Sequence, residues 1–239
     1  MSILKPLKWA DISSNNPNVS IPELVRKNYQ ALGLRVTGGW GGGNEPFMDP
    51  DYPERQRQLN KHRSLVQVVY WFPIADAAVD LDKQIDRSVN AVMGGFDNKI
   101  PAFDYELYGP KHSITISPAE LRYFTRGIFK QIGVMPYFMY AGLDWWLSPP
   151  DTGDADRFPE GLKQWVPKYR TDNVSDANPV KFYLHYLRQM AWWKRYGKRD
   201  DGKTPEAAQI GIFNEAGGPL DVNMSRVSKQ TLEMWARST

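Results

Sequence analysis

Asp104 and Glu106 stand two residues apart within residues 100–107 (IPAFDYEL), where the apolar lead-in Ile100, Pro101, Ala102 and Phe103 reads as a buried strand. Strand alternation sends both side chains to one face, about 6.5 to 7 Å apart along the backbone. Ionised acids side by side on a buried face are costly, and the cost drives at least one of them toward its protonated form. One acid holding a proton beside one carboxylate holding its charge is the pair that hydrolysis of a glycosidic bond needs: a donor for the leaving oxygen and a stabiliser for the oxocarbenium-like centre. The competing reading is an edge strand with solvated acids, or a salt bridge to a nearby Lys or Arg.

Two further acids gain interest from position. Asp11 ends a strand candidate and precedes the polar run Ser13, Ser14, Asn15, Asn16, while Asp221 lies in residues 219–223 (PLDVN). Taken singly, each reads as a turn former. In a barrel, separate strand ends would deliver all these carboxylates to one rim. Nine Trp and twelve Tyr fit either a filled core or stacking on sugar rings.

Other chemistry is excluded or weakened by composition. The chain has no Cys, which removes disulfides, thiol nucleophiles and thiolate metal sites, and its three His show no ligand spacing. No cofactor or metal is therefore expected. A net charge of +3 without charge blocks does not call for nucleic acid, and no run of apolar residues is long enough to span a bilayer. Residues 1–8 lack the apolar core of a signal peptide. If the protein acts outside a cell, something else must release it. A monomer acting without a membrane is the expectation.

The elements that must position the acids alternate between strand and helix. Residues 7–12 predict the first strand. Ser20 with Glu23 forms a capping box before Leu24, Val25, Tyr29 and Leu32, and Gly33 reads as the stop of a helix of about 12 residues. Strands follow at 34–37, 65–72 (LVQVVYWF) and 100–107, with helices from about Pro53 and Asp76. The clearest helix is 117–132, with Ser117 as cap, Pro118 in the first turn, Glu120 completing the box, Leu121, Phe124, Ile128 and Ile132 on one face, and Gly133 ending it. Strands at 134–140 and 162–169, an ambiguous aromatic segment at 182–196, a charged loop at 198–205 and a last strand at 208–213 complete the pass. A glycine-rich loop, 38–43, follows the second strand. This βαβ succession predicts an α/β fold, an irregular (β/α) TIM-like barrel forming one domain over residues 1–239.

The order of several short motifs resembles glycoside hydrolase family 25, the lysozyme-type N-acetylmuramidases that include many phage endolysins. These are WADISS at 9–14, Arg35 with Asp49 downstream, YWF at 70–72, FDYE at 103–106, PYFMY at 136–140, WVPKY at 165–169 and LDVN at 220–223. The resemblance spans residues 7–223 and implies cleavage of the β-1,4 bond between N-acetylmuramic acid and N-acetylglucosamine in peptidoglycan glycan strands. It implies Glu106 as general acid and then base, and Asp104 as steering an assisting N-acetyl group with net retention. Asp11 and Asp221 are implied to shape the site. Tyr70, Trp71, Tyr140, Trp165, Tyr169, Arg35, Asp49 and Gln209 are implied as substrate-binding. Two departures stand out: Trp71 occupies a position where the family has His, and Ala208 precedes Gln209 where the family has Trp. The rival signature DxxDxDxE of chitinase-like barrels is not met, because Lys99 and Ala102 fill its first two acidic places. The other alternative is a barrel that binds walls or builds a phage particle without turnover.

Overall fold

A computed structural model describes residues 7–38, 48–74, 80–105, 116–133, 135–141, 161–167, 207–225 and 227–237. Among these residues eight strands follow one another round a closed ring: β1 (Leu7–Ile12), β2 (Ala31–Gly38), β3 (Val66–Phe72), β4 (Lys99–Tyr105), β5 (Tyr137–Ala141), β6 (Leu162–Pro167), β7 (Ala207–Glu215) and β8 (Gly218–Ser225). β1 to β7 pair in parallel. β8 runs antiparallel to both of its neighbours, β7 and β1. The expected mixed α/β architecture with a curled sheet is present, but the last strand corrects the TIM-like expectation, since a regular barrel is parallel throughout.

The ring sorts its strand residues into two apolar layers. Trp9, Ala31, Val68, Tyr70, Ala102, Phe138, Tyr140 and Trp165 form the cluster inside it. Ala10, Leu32, Val69, Trp71, Phe103 and Met139 belong to a second cluster, outside, under the helices. Parallel strands buried on both faces read as continuous apolar runs, which is why VQVVYWF is legible as a strand but not as a pattern of faces.

Helices α1 (Ile21–Arg26), α2 (Tyr52–Asn60), α3 (Leu81–Asn90) and α4 (Pro118–Ile132) follow the first four strands. α4 has the complete capping box read from sequence: Ser117 Oγ accepts from the Glu120 N–H while the Glu120 carboxylate accepts from the Ser117 N–H. α1 is a correction. Its cap Ser20 is as expected, but the helix stops at Arg26, Asn28 takes a positive φ of 60°, and residues 31–38 form β2 with Gly33 inside it. The apolar spacing of Leu24, Tyr29 and Leu32 spans a helix and the strand after it.

A fifth helix, α5 (Lys229–Ala236), has no counterpart among the expected elements. It leaves β8 at Ser225, the register partner of Leu7 at the start of β1, and so reaches the N-terminal end of the parallel strands. There Leu232 and Ala236 join the interior cluster, with Trp235 packed against it and edge-on to Phe138. This apolar plug leaves the opposite, C-terminal end of the ring to polar groups. The loop at 39–43 and the segments 182–196 and 198–205 lie outside the described residues.

Candidate active site

Three pairs of register partners bring chemistry to that C-terminal end. Asp11 on β1 faces Asp221 on β8, Arg35 on β2 faces Tyr70 on β3, and Asp104 on β4 faces Tyr140 on β5. Alternation puts each pair on the inner surface, because Trp9, Val68, Ala102 and Phe138, two residues earlier on their strands, are interior. A bulge between Arg35 and Thr37 ends that alternation on β2, and Thr37 Oγ1 meets Ser88 Oγ of α3 at 3.3 Å instead.

Tyr70 marks the centre of the group. Burial raises its hydroxyl well above the ordinary phenol range, the charge of Asp11 adds to that, Arg35 opposes it, and Asp104 and Asp221 add further. Carboxylates from β1, β4 and β8 therefore act on one phenol. Burial also pushes the Asp221 carboxyl up, against a hydrogen bond from Gln209 on β7 that pulls it down. The antiparallel corner thus holds an acid that gives up its proton less readily than a solvated one.

The corner is braced by amides. Asn223 Nδ2 donates to Asp11 Oδ2 at 2.6 Å, and Trp165 Nε1 donates to Asn223 Oδ1 at 2.8 Å. Tyr140 and Trp165 meet edge-on with centroids 4.8 Å apart, and Trp165 lies 4.8 Å from Trp9. The two aromatics read from sequence form a buried floor beneath the acids.

Beyond Asp11, the chain is held from α2. Arg55 donates to the carbonyl oxygens of Ser13 and Asn16, at 2.6 and 2.7 Å, and Asn16 Oδ1 accepts from the Ser13 N–H. Burial lowers the Arg55 pKa, with Asp51 and Asp49 opposing. Asp49 is 2% exposed: Oδ2 accepts from Arg35 Nε at 2.9 Å and from the Ser14 N–H at 2.8 Å, and Oδ1 accepts from the Asp51 N–H. Its oxygens are occupied in aiming Arg35 and in fastening the loop after Asp11.

Of the residues singled out from sequence, the structure gathers Asp11, Asp104, Asp221, Tyr70, Arg35, Tyr140, Trp165 and Gln209, with Asp49 behind Arg35. Trp71 is not among them: it points outward, its indole donating to the Ser88 carbonyl at 3.2 Å and packing on Phe96 and Phe103. Glu106 and Tyr169 lie outside the described residues. Asn223, Ser14 and Arg55 enter the site unannounced. For Asn223 a signal existed, since its place two residues after Asp221 on an alternating strand puts both on one face.

No family model matches the chain, and no curated protein matches its sequence. Solved structures do match, over nearly its whole length. A muramidase from Trichobolus zukalii superposes with a TM-score of 0.65 at 16% identity, covering 98% of this chain and 100% of that one. The catalytic domain of endolysin ply40 from bacteriophage P40 of Listeria monocytogenes gives 0.63 at 19%, covering 98% of each. A family 25 glycosyl hydrolase from Bacillus anthracis gives 0.62 at 14%, covering 99% of this chain and 95% of that one. The ring with its antiparallel closing strand thus has the fold of these solved structures, a family 25 glycosyl hydrolase among them.

Proposed function

We propose that this chain is a glycoside hydrolase of the muramidase type, a single catalytic domain that cleaves the β-1,4 bond between N-acetylmuramic acid and N-acetylglucosamine in peptidoglycan. The delivery of Asp11, Asp104 and Asp221, with Tyr70 and Arg35, to one end of the ring from strands far apart in sequence carries the reading. Structures of the same fold from a fungus, a bacterium and a phage described as muramidase, glycosyl hydrolase and endolysin give it support. A phage-type lytic role belongs to the same proposal.

In this reading Glu106, two residues beyond Asp104, gives its proton to the glycosidic oxygen as the bond to C1 breaks. The carbonyl oxygen of the substrate's own N-acetyl group closes on C1, and Asp104 orients that group and balances its positive charge. Glu106, now a carboxylate, takes a proton from water, which opens the ring intermediate and restores the β configuration. Asp11 and Asp221 set the field in which Glu106 changes charge. Arg35, Tyr70 and Gln209 offer polar contacts to the sugars over the Tyr140 and Trp165 floor.

Glu106→Gln tests this, since the exchange removes the proton donor and keeps the shape. Clearing of a bacterial wall suspension should be abolished, with thermal unfolding and wall binding unchanged. Wild-type clearing by that variant would remove Glu106 from the reaction. A wild-type chain that binds walls without clearing them would make this a binding module.

A further inference from the structure

The Trp165 indole decides an orientation that Asn223 alone leaves open. An asparagine amide can present oxygen or NH₂ to a neighbour, whereas an indole N–H only donates. Trp165 therefore takes the amide oxygen, at 2.8 Å, and the NH₂ is turned to Asp11, at 2.6 Å. The arrangement is sealed from water, with Asn223 at 0% and Trp165 at 3% exposure.

Asp11 lies directly across the β1–β8 pair from Asp221. Residues opposite one another on one face of an antiparallel pair have Cβ atoms about 4.5 to 5.5 Å apart. Inside a ring, two carboxylates at that range disfavour one another's charge, so that one of them takes up a proton before the other. An NH₂ aimed at Asp11 favours the ionised form of that partner. From β7, a hydrogen bond from Gln209 opposes protonation of Asp221, but burial of that carboxyl is the larger influence and favours it. Among the described residues, the other charged and titratable groups around the pair are Arg35 on β2, itself bonded to Asp49, Tyr70 on β3 and Asp104 on β4.

We propose that Asn223, oriented by the Trp165 indole, is a positioning residue that keeps Asp11 the charged, hydrogen-bond-accepting member of the Asp11–Asp221 pair, so that Asp221 is the member that takes up a proton first. Only its consequence for turnover rests on the muramidase reading. In that reading, Asn223 sets the order in which the acids around the reacting sugar ionise.

The full chain labelled with carbon-13 at the aspartate carboxyls, titrated by NMR, reads the order directly. In the wild type the Asp11 signal should remain that of a carboxylate through the range in which Asp221 takes up its proton. Asn223→Asp keeps an oxygen for the indole but removes the donor, and should merge the two midpoints or reverse their order, a shift of at least one pH unit. Trp165→Phe frees the amide to turn and should move them part of the way. The pH profile of wall clearing should move with them. A purely structural role would lower the unfolding temperature and leave the midpoints in place. Unchanged midpoints in variants that still unfold cooperatively would overturn the proposal, whether or not the wild type clears walls. Absence of clearing by a wild type with the expected proton order would overturn the muramidase reading alone.

Discussion

The parallel arc and the antiparallel corner supply the same rim by different means. On β2 to β5, Arg35, Tyr70, Asp104 and Tyr140 come from the C-terminal parts of strands, and helices outside hold those strands in place. At the corner, β7 turns straight into β8 through Ala216 and Gly217, both at positive φ, 52° and 105°. The turn seats on the chain after β1, where the Ser20 N–H donates to the Ala216 carbonyl at 2.8 Å. Polar groups there come from along the strand: Asp221, Asn223 and Ser225 take the inner face, while Leu220, Val222 and Met224 pack outward. The arc spends one polar residue per strand and leans on packing; the corner concentrates several and must satisfy them with one another.

The contrast can be broken most severely in the arc. Asp104→Asn should lower wall clearing at least a thousandfold, about 4 kcal/mol of barrier, without changing the unfolding temperature. Clearing within tenfold of wild type would reduce Asp104 to an accessory. On the arc's outer face Trp71→Phe should do the reverse, costing about 2 kcal/mol of stability through the lost bond to Ser88, with clearing per folded molecule unchanged. A large fall in activity from this exchange would bring Trp71 back to the substrate.

Where the arc meets the corner, Gly33 leaves room for Asp11. A Cβ there would lie 3.1 Å from the Asp11 Cβ and 3.4 Å from Trp9 Cζ3. Gly33→Ala should cost about 1 kcal/mol in denaturant unfolding and lower activity as Asp11 is displaced. Loss of stability with full activity would mean that the position of Asp11 is not critical. The smallest effect belongs to Asp221. Because its carboxyl is raised in the folded state, that state binds the proton more tightly than the unfolded chain does. The stability this contributes is complete below about pH 4, the ordinary aspartate value, and is lost as pH rises through the raised one. Unfolding temperatures measured across that window should fall more steeply for the wild type than for Asp221→Asn; parallel curves would contradict the shift.

How legible each region is follows from the same contrast. β1 and α4 could be read to the residue, because LKWADI has the length of a strand and Ser117, Pro118, Glu120 and Gly133 announce a helix from both ends. The corner could not. β8 carries polar residues on its inner face and apolar ones outside, so its alternation reads as a surface strand or a loop, and Ala216 is an unusual residue for a turn that needs positive φ. Asp104 and Glu106 stood out by type and spacing, Asp11 and Asp221 only by their position along the chain. Arg55 did not, because a guanidinium that serves by holding neighbours carries no pattern of its own, and Asn223 was marked only by its spacing from Asp221.

The most direct test is digestion of defined peptidoglycan, with the released fragments read by mass spectrometry. Acids from β1, β4 and β8 acting together on a muramic glycosidic bond predict fragments with N-acetylmuramic acid at the reducing end, and their loss in Asp104→Asn. Fragments ending in N-acetylglucosamine, cleaved peptide stems, or release that persists in the variant would contradict it.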